Sequence, residues 1–204
     1  MCSQSPEKKG REEEYRLMKI ATPLPNNPHI PFEFLQSLQK VTYQWITETG
    51  PSVAENRNKL IERARLIGED ILLIDSDIVF TPEDVKAIEE HLKTYDIISG
   101  VGVLGFFPYP PAIFKDSVPI SPKKEVFEVD SCWGAFLGIS KKAINTIPTP
   151  FEHLFDKYGR LIGNDISFCM TAKKFGFKIL CDGRISVGHI RSIVRYYEER
   201  RNKT

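Results

Sequence analysis

Residues 71–77 read Ile71-Leu72-Leu73-Ile74-Asp75-Ser76-Asp77: four aliphatic side chains in a row, then two carboxylates separated by a serine. A half-buried strand alternates apolar and polar residues. This run does not alternate, so it predicts a strand covered on both faces, as in a parallel sheet flanked by helices. The carboxylates then fall at the strand's C-terminal end, the edge where open α/β sheets bind ligands. Two neighbouring anions repel, and a cation beside them relieves the cost. Oxygen ligands suit Mg²⁺ or Mn²⁺, which also bind phosphate oxygens, so Asp75 and Asp77 are candidate ligands of a metal that grips a diphosphate. The plainer reading of the triplet is a solvated turn with an Asx cap.

Working outward, Thr81-Pro82-Glu83-Asp84 opens a helix: a capping hydroxyl, proline in the first turn and acids at the positive end of the dipole, with Val85, Ile88 and Leu92 as the buried stripe. A strand is predicted at 96–101. On the N-terminal side, Ser52 with Glu55 makes a capping box for a helix that places Leu60, Ile61, Ala64 and Ile67 on one face and stops at Gly68. Before it come strands at 15–21 and 41–47, separated by a Pro/Asn-rich loop and a short helix at 32–40. The first hundred residues therefore read β-α-β-α-β-α-β, which implies right-handed crossovers and a mostly parallel, Rossmann-like sheet. The second half is less regular: an extended loop or edge strand over 106–122, a strand at 126–131, an apolar segment at 133–139, helices at 140–147 and 164–175, and short strands at 177–181 and 185–189.

The chain has 204 residues, enough for one α/β domain to bury a core without covalent staples. Its net charge of +1 excludes a strongly basic nucleic-acid binder and an acidic tail. Cys2, Cys132, Cys169 and Cys181 form no C-x-x-C pair and have no histidine at zinc-finger spacing, so they read as free, mostly buried thiols, with a disulfide left open. No apolar run approaches the roughly 20 residues of a membrane helix. Residues 1–14 are polar, without the apolar core of a signal peptide, and read as a disordered leader; a cytoplasmic protein is expected. Residues 191–204 read as a basic helix, with Arg191, Arg195, Arg200, Arg201 and Lys203 beside Ile193, Tyr196 and Tyr197. It is either a solvated helix packed by its apolar side or a peripheral contact to an anionic lipid surface.

Three further positions carry chemistry. Asp165, after Asn164 at a helix start, is either a first-turn acid favoured by the dipole or a base that takes a hydroxyl proton. His189, at the end of a short strand, is either structural or a nitrogen ligand that favours Mn²⁺ over Mg²⁺. Trp133, before Gly134, is either a core aromatic or a platform for the C–H face of a sugar ring.

Taken in order, Ala21-Thr22-Pro23, Val53-Ala54-Glu55-Asn56-Arg57-Asn58, Ile71 to Asp77, Trp133-Gly134-Ala135-Phe136, Asn164-Asp165-Ile166-Ser167-Phe168 and Val187-Gly188-His189-Ile190 resemble the glycosyltransferases of the GT-A fold, family-2-like, over about 17–190. The resemblance implies a single Rossmann-like GT-A domain over 15–190, with a nucleotide-sugar half at 15–104 and an acceptor half at 105–190. It implies transfer of a sugar from a UDP-, GDP- or dTDP-sugar to an acceptor hydroxyl on a protein, lipid or glycan, with Mn²⁺ or Mg²⁺ as cofactor. Carried over by position, Thr22 and Pro23 would lie beside the base, and Glu48 near the base or ribose. Arg57 and Asn58 would line the nucleotide pocket, with Asp75 on the ribose side and Ser76 facing the nucleotide-sugar. Asp77 would be the firmest metal ligand, joined by Asp75 and His189. Trp133, Gly134 and Ala135 would lie under the transferred sugar and acceptor, and Asp165 would be the catalytic base of an inverting transfer. Small stand-alone members of this kind occur in archaea and their viruses.

Asn164 departs from the acid usual before Asp165, and the Q-x-x-R-W segment of processive polysaccharide synthases is absent. Two other readings stand beside this one. Asp75-Ser76-Asp77-Ile78-Val79 also fits the nucleophile motif of haloacid-dehalogenase-type phosphatases, in which Asp75 would be phosphorylated. The fold could also serve a non-catalytic nucleotide-sugar-binding protein.

Overall fold

The computed structural model describes residues 18–105 and 108–191, together with the backbone of 194–195. The expected leader and most of the expected basic helix lie outside the described residues.

The first half alternates as predicted, with one added short strand, β4: β1 (Lys19–Leu24), α1 (Phe32–Leu38), β2 (Trp45–Thr49), α2 (Val53–Ile67), β3 (Ile71–Ile74), β4 (Ile78–Val79), α3 (Pro82–Leu92) and β5 (Ile97–Val101). Local chemistry fixes the helix ends. The Ser52 hydroxyl accepts from the Glu55 N–H at 3.4 Å, and Gly68 closes α2 in the left-handed region at φ 78°. Thr81 and Asp84 cap α3 reciprocally. β2 begins four residues later than the alternation at 41–47 suggested, while the first three residues of the strand expected at 15–21 lie outside the described residues and β1 runs on to Leu24. Tyr43 lies ahead of β2, and its hydroxyl donates to Glu89 on α3 at 2.7 Å.

Then follow β6 (Ile113–Lys115), β7 (Val118–Pro119), β8 (Val126–Val129), β9 (Ser131–Cys132), β10 (Phe136–Ile139), α4 (Lys141–Thr146), α5 (Asn164–Lys174), β11 (Ile179–Ser186), β12 (Gly188–Ile190) and β13 (Val194–Arg195). Val194–Arg195 is extended and pairs with β12, which corrects the expected helix at those two positions.

The central sheet runs β2-β1-β3-β10-β5-β11-β8. β10 is antiparallel to both β3 and β5, and β8 is antiparallel to β11; the other strands run parallel, so the sheet is mostly parallel. Side chains alternate between two cores. Ile71 and Leu73 pack with Leu60, Ile61 and Ala64 of α2, Ile144 of α4 and Phe168 of α5, whereas Leu72 and Ile74 pack with Phe34 of α1 and Val85, Ile88 and Leu92 of α3. The unbroken apolar run at 71–74 is thus explained by helices on both faces. Gly138 lets α3 lie close on β10: a Cβ there would meet Ile88 Cγ2 at 2.5 Å.

Two placements prepare the site. β10 enters antiparallel beside β3 with Phe136 opposite Ile74, so the loop before it meets the residues after β3, and the Asp75 N–H donates to the Ala135 carbonyl at 3.1 Å. A small sheet, β13-β12-β4, folds over the same edge and pairs His189 with Ile78.

Candidate active site

Arg57 organises the first cluster. It projects from α2, is 1 % exposed, and its guanidinium lies 5.4 Å from the centre of the Phe151 ring. A cation buried this deeply must be paired, because desolvating it unpaired costs several kcal/mol. Nη2 donates to both oxygens of Asp75 at 2.8 and 2.9 Å, and Nη1 donates to Asp165 and Asn164. Burial works against the Arg57 charge, but Asp75 and Asp165 outweigh it and hold the group more firmly protonated than an ordinary arginine. Burial raises the Asp75 carboxyl; Arg57 opposes this, while Asp165 and Asp77 add to it. Gly134 completes the cluster by its lack of a side chain: a Cβ there would lie 2.7 Å from Arg57 Nη1 and 2.8 Å from Asp165 Oδ1.

Asp77 and His189 form the second cluster. They are 112 positions apart in sequence, and His189 Nε2 lies 3.2 Å from Asp77 Oδ2. The Ile190 N–H donates to the Asp77 carbonyl at 2.7 Å, which fixes the two backbones together. Nδ1 of His189 lies 2.9 Å from the Val103 carbonyl, which can only accept, so Nδ1 carries a proton. Nε2 therefore either carries a second proton and donates to Asp77, or presents a lone pair to a carboxylate. A cation shared between the two is the chemical alternative to that second proton. Trp133 joins the clusters. It precedes Gly134, and its ring stands edge-on to His189 with centroids 5.6 Å apart.

The structure thus brings Arg57, Asp75, Gly134 and Asp165 together, and Asp77 and His189 beside Trp133. Ser76 is half-buried in the turn between Asp75 and Asp77, a turn closed by the Ile78 N–H on the Asp75 carbonyl at 3.2 Å. The other expected residues are engaged elsewhere. Thr22 and Pro23 are buried within β1, and the Thr22 hydroxyl accepts from the Trp45 indole at 2.9 Å. Glu48 accepts from Arg63 at 2.8 Å. Asn58 clamps the Phe151 backbone, accepting from its N–H and donating to its carbonyl, both at 3.0 Å.

Arg57 faces the carboxylates that neutralise its buried charge. Two expectations change. Trp133 is 6 % exposed and is a core aromatic, not an open sugar platform. Gly102 makes room for it: a Cβ there would fall 1.8 Å from the indole. Finally, Asp75, Asp77 and His189 do not converge as three ligands. Arg57 takes both Asp75 oxygens, and among the described residues no group of three or more His, Cys, Asp and Glu is arranged to hold a metal. Asp77 and His189 remain, with Asp77 37 % exposed. One carboxylate and one imidazole are a partial ligand set that fits Mn²⁺ better than Mg²⁺, with water and phosphate oxygens left to complete the shell.

Sequence reasoning missed Asn56, which is buried and donates to the Leu24 and Gly50 carbonyls at 2.7 and 3.3 Å, tying the ends of β1 and β2 to α2. The only hint was an amide on the apolar side of α2, four residues before Leu60.

The mostly parallel sheet with helices on both faces is a GT-A-like fold. The crystal structure of A197 from STIV shares it, with a TM-score of 0.66 and 18% sequence identity over 85% of this chain and 86% of that chain. Weaker likenesses extend to S. aureus TarS 1-349 in complex with UDP-GlcNAc, with a TM-score of 0.49 and 16% identity over 92% of this chain and 60% of that one. The inositol-1-phosphate CTP transferase from T. maritima gives a TM-score of 0.46 and 10% identity over 85% and 89%. No protein-family model and no curated protein sequence matches the chain.

Proposed function

We propose that this protein is a metal-dependent glycosyltransferase that transfers a sugar from a nucleoside diphosphate-sugar to an acceptor hydroxyl. The observation that carries the reading is the meeting of Asp75 and Asp165 on one buried guanidinium, next to Asp77 and His189, at the ligand-binding edge of a GT-A-like sheet. In support, the Asp165 side chain remains 35 % exposed despite its contact with Arg57, which leaves it accessible from solvent.

Asp77 and His189 would hold Mn²⁺ or Mg²⁺. When bound, the ion supplies positive charge against which the diphosphate leaves. In an inverting transfer Asp165 takes the proton of the acceptor oxygen as that oxygen attacks the sugar carbon. Arg57 holds Asp165 and Asp75 together, and Gly134, without a side chain, packs against Arg57 and Asp165 without displacing them. The phosphatase reading is disfavoured by the same contacts. Asp75 follows two βα units, and Arg57 takes both of its oxygens, so it is not a free nucleophile.

A thermal-shift panel of UDP-, GDP- and dTDP-sugars, each with and without Mn²⁺, tests the reading. One nucleotide class raises Tm only with the metal, and Asp77→Ala removes that shift. The same donor is then slowly hydrolysed by the wild-type protein. Stabilisation with no donor turnover makes the protein a binding module instead, and no stabilisation by any donor rejects the proposal.

A further inference from the structure

A cleft of about 800 Å³ opens beside Asp77, lined by residues of the 29–35 segment, by Ile190 and by Arg191. Its size is that of a small-molecule site. Its walls are mostly apolar, from Ile30, Pro31, Phe32, Leu35 and Ile190, with His29, Glu33, Asp77 and Arg191 as the polar groups.

Arg191 is exposed, as most surface arginines are, but three features set it apart. The Ile190 N–H bond to the Asp77 carbonyl, at 2.7 Å, anchors the backbone immediately before it. Gly105 clears room for its head: a Cβ there would lie 3.0 Å from both Nε and Nη2 and 3.2 Å from Cζ, so the guanidinium rests against bare backbone. No carboxylate closes on it among the described residues, although Glu33 and Asp77 line the same cleft. A guanidinium offers five donors in a rigid fork that matches phosphate oxygens in pairs.

We infer that Arg191 is a phosphate-binding residue of the donor site, gripping the diphosphate from the wall of this cleft as a second cation beside the metal position at Asp77. The inference rests on the glycosyltransferase reading above.

The test uses the full chain and isothermal titration calorimetry with Mn²⁺ and UDP, GDP or dTDP, whichever binds the wild-type protein most tightly, alongside the matching nucleoside monophosphate. Arg191→Ala is expected to weaken the diphosphate about 10- to 100-fold, the scale of a lost charge-assisted pair, and to leave the monophosphate within about threefold. Arg191→Lys, which keeps the charge but not the fork, falls between wild type and alanine. The exposed position makes misfolding a poor explanation, and an unchanged Tm for each variant checks it. The inference is overturned if Arg191→Ala binds the diphosphate within twofold of wild type while Asp77→Ala abolishes binding, or if mono- and diphosphate weaken equally. If Asp77→Ala binds the diphosphate as wild type does, the functional reading itself fails, and if no nucleoside diphosphate binds the wild-type protein, both fail together.

Discussion

Nη2 of Arg57 lies 2.8 and 2.9 Å from the two carboxylate oxygens of Asp75, a paired contact that neither partner can leave without breaking two hydrogen bonds. The other terminal nitrogen is turned to Asp165 and Asn164, so one buried side chain spans the residues after β3 and the start of α5. The site is therefore held by an electrostatic bridge rather than by packing alone, and that bridge can be measured.

Removing the cation leaves two recessed carboxylates facing each other. Arg57→Met is expected to lower stability by about 3–5 kcal/mol in chemical denaturation, and Arg57→Lys by less, since lysine keeps the charge without the fork. Adding Asp75→Asn to Arg57→Met should recover part of the loss, with a coupling of at least about 1 kcal/mol in a double-mutant cycle. Strict additivity of the two changes would show that the contact carries no stability.

Two glycines are required by space rather than by backbone conformation. Gly102→Ala drives a methyl into the Trp133 indole, 1.8 Å away, and is expected to cost at least about 3 kcal/mol. Gly134→Ala meets Arg57 at 2.7 Å and Asp165 at 2.8 Å; its expected cost is about 1–3 kcal/mol. The second variant should also lose transfer out of proportion to its Tm, because it displaces the reacting groups. Activity that tracks folded fraction alone would contradict this.

Asp165→Asn preserves shape and the acceptor oxygen that faces Arg57 but removes the basic site. Donor affinity by calorimetry should stay within about threefold of wild type, while single-turnover transfer falls about 10²- to 10⁴-fold. Near-normal transfer would take the base role away from Asp165.

A fourth prediction concerns acid. Asp182 on β11 accepts from Arg184 Nε and Nη2 at 2.9 and 2.8 Å and lies 2.7 Å from His91 Nε2. Burial works to raise its carboxyl, but the hydrogen bonds from Arg184 and His91 prevail and hold its pKa at about 2. A folded-state pKa below the unfolded value stabilises the protein fully above the unfolded pKa near 4. That contribution, roughly 2 kcal/mol, is lost as pH falls through about 2. The stability gap between wild type and Asp182→Asn, read by denaturant titration at stepped pH, should therefore shrink between pH 4 and 2. A gap that is constant with pH would assign the loss to packing.

Much of the first half was legible because its signals are local. The run at 71–74 announced two-sided burial, and the caps at Ser52, Gly68 and Thr81 marked helix ends to within a residue. β2 was displaced because an alternating pattern on the edge strand of the sheet constrains pairing register weakly. In the second half, Trp133 to Ile139 was readable as apolar, but its insertion antiparallel between β3 and β5 was not, since nothing local distinguishes that slot from an edge.

The same division holds for the site. The residue types and their neighbourhood along the chain single out Asp75, Asp77, Asp165 and His189 as candidates, but acids and imidazoles at strand and helix ends also serve as caps and turn residues, so the order of the residues does not decide between the two uses. Which of them face one another is set by contacts between residues distant in sequence. Arg57 claims Asp75 and Asp165 because its buried charge must be balanced where α2, β3 and α5 meet. Asp77 is left to His189 because β12 folds back on β4. Pairing energies of that kind depend on distance in three dimensions and on burial, and neither quantity is written in the order of the residues.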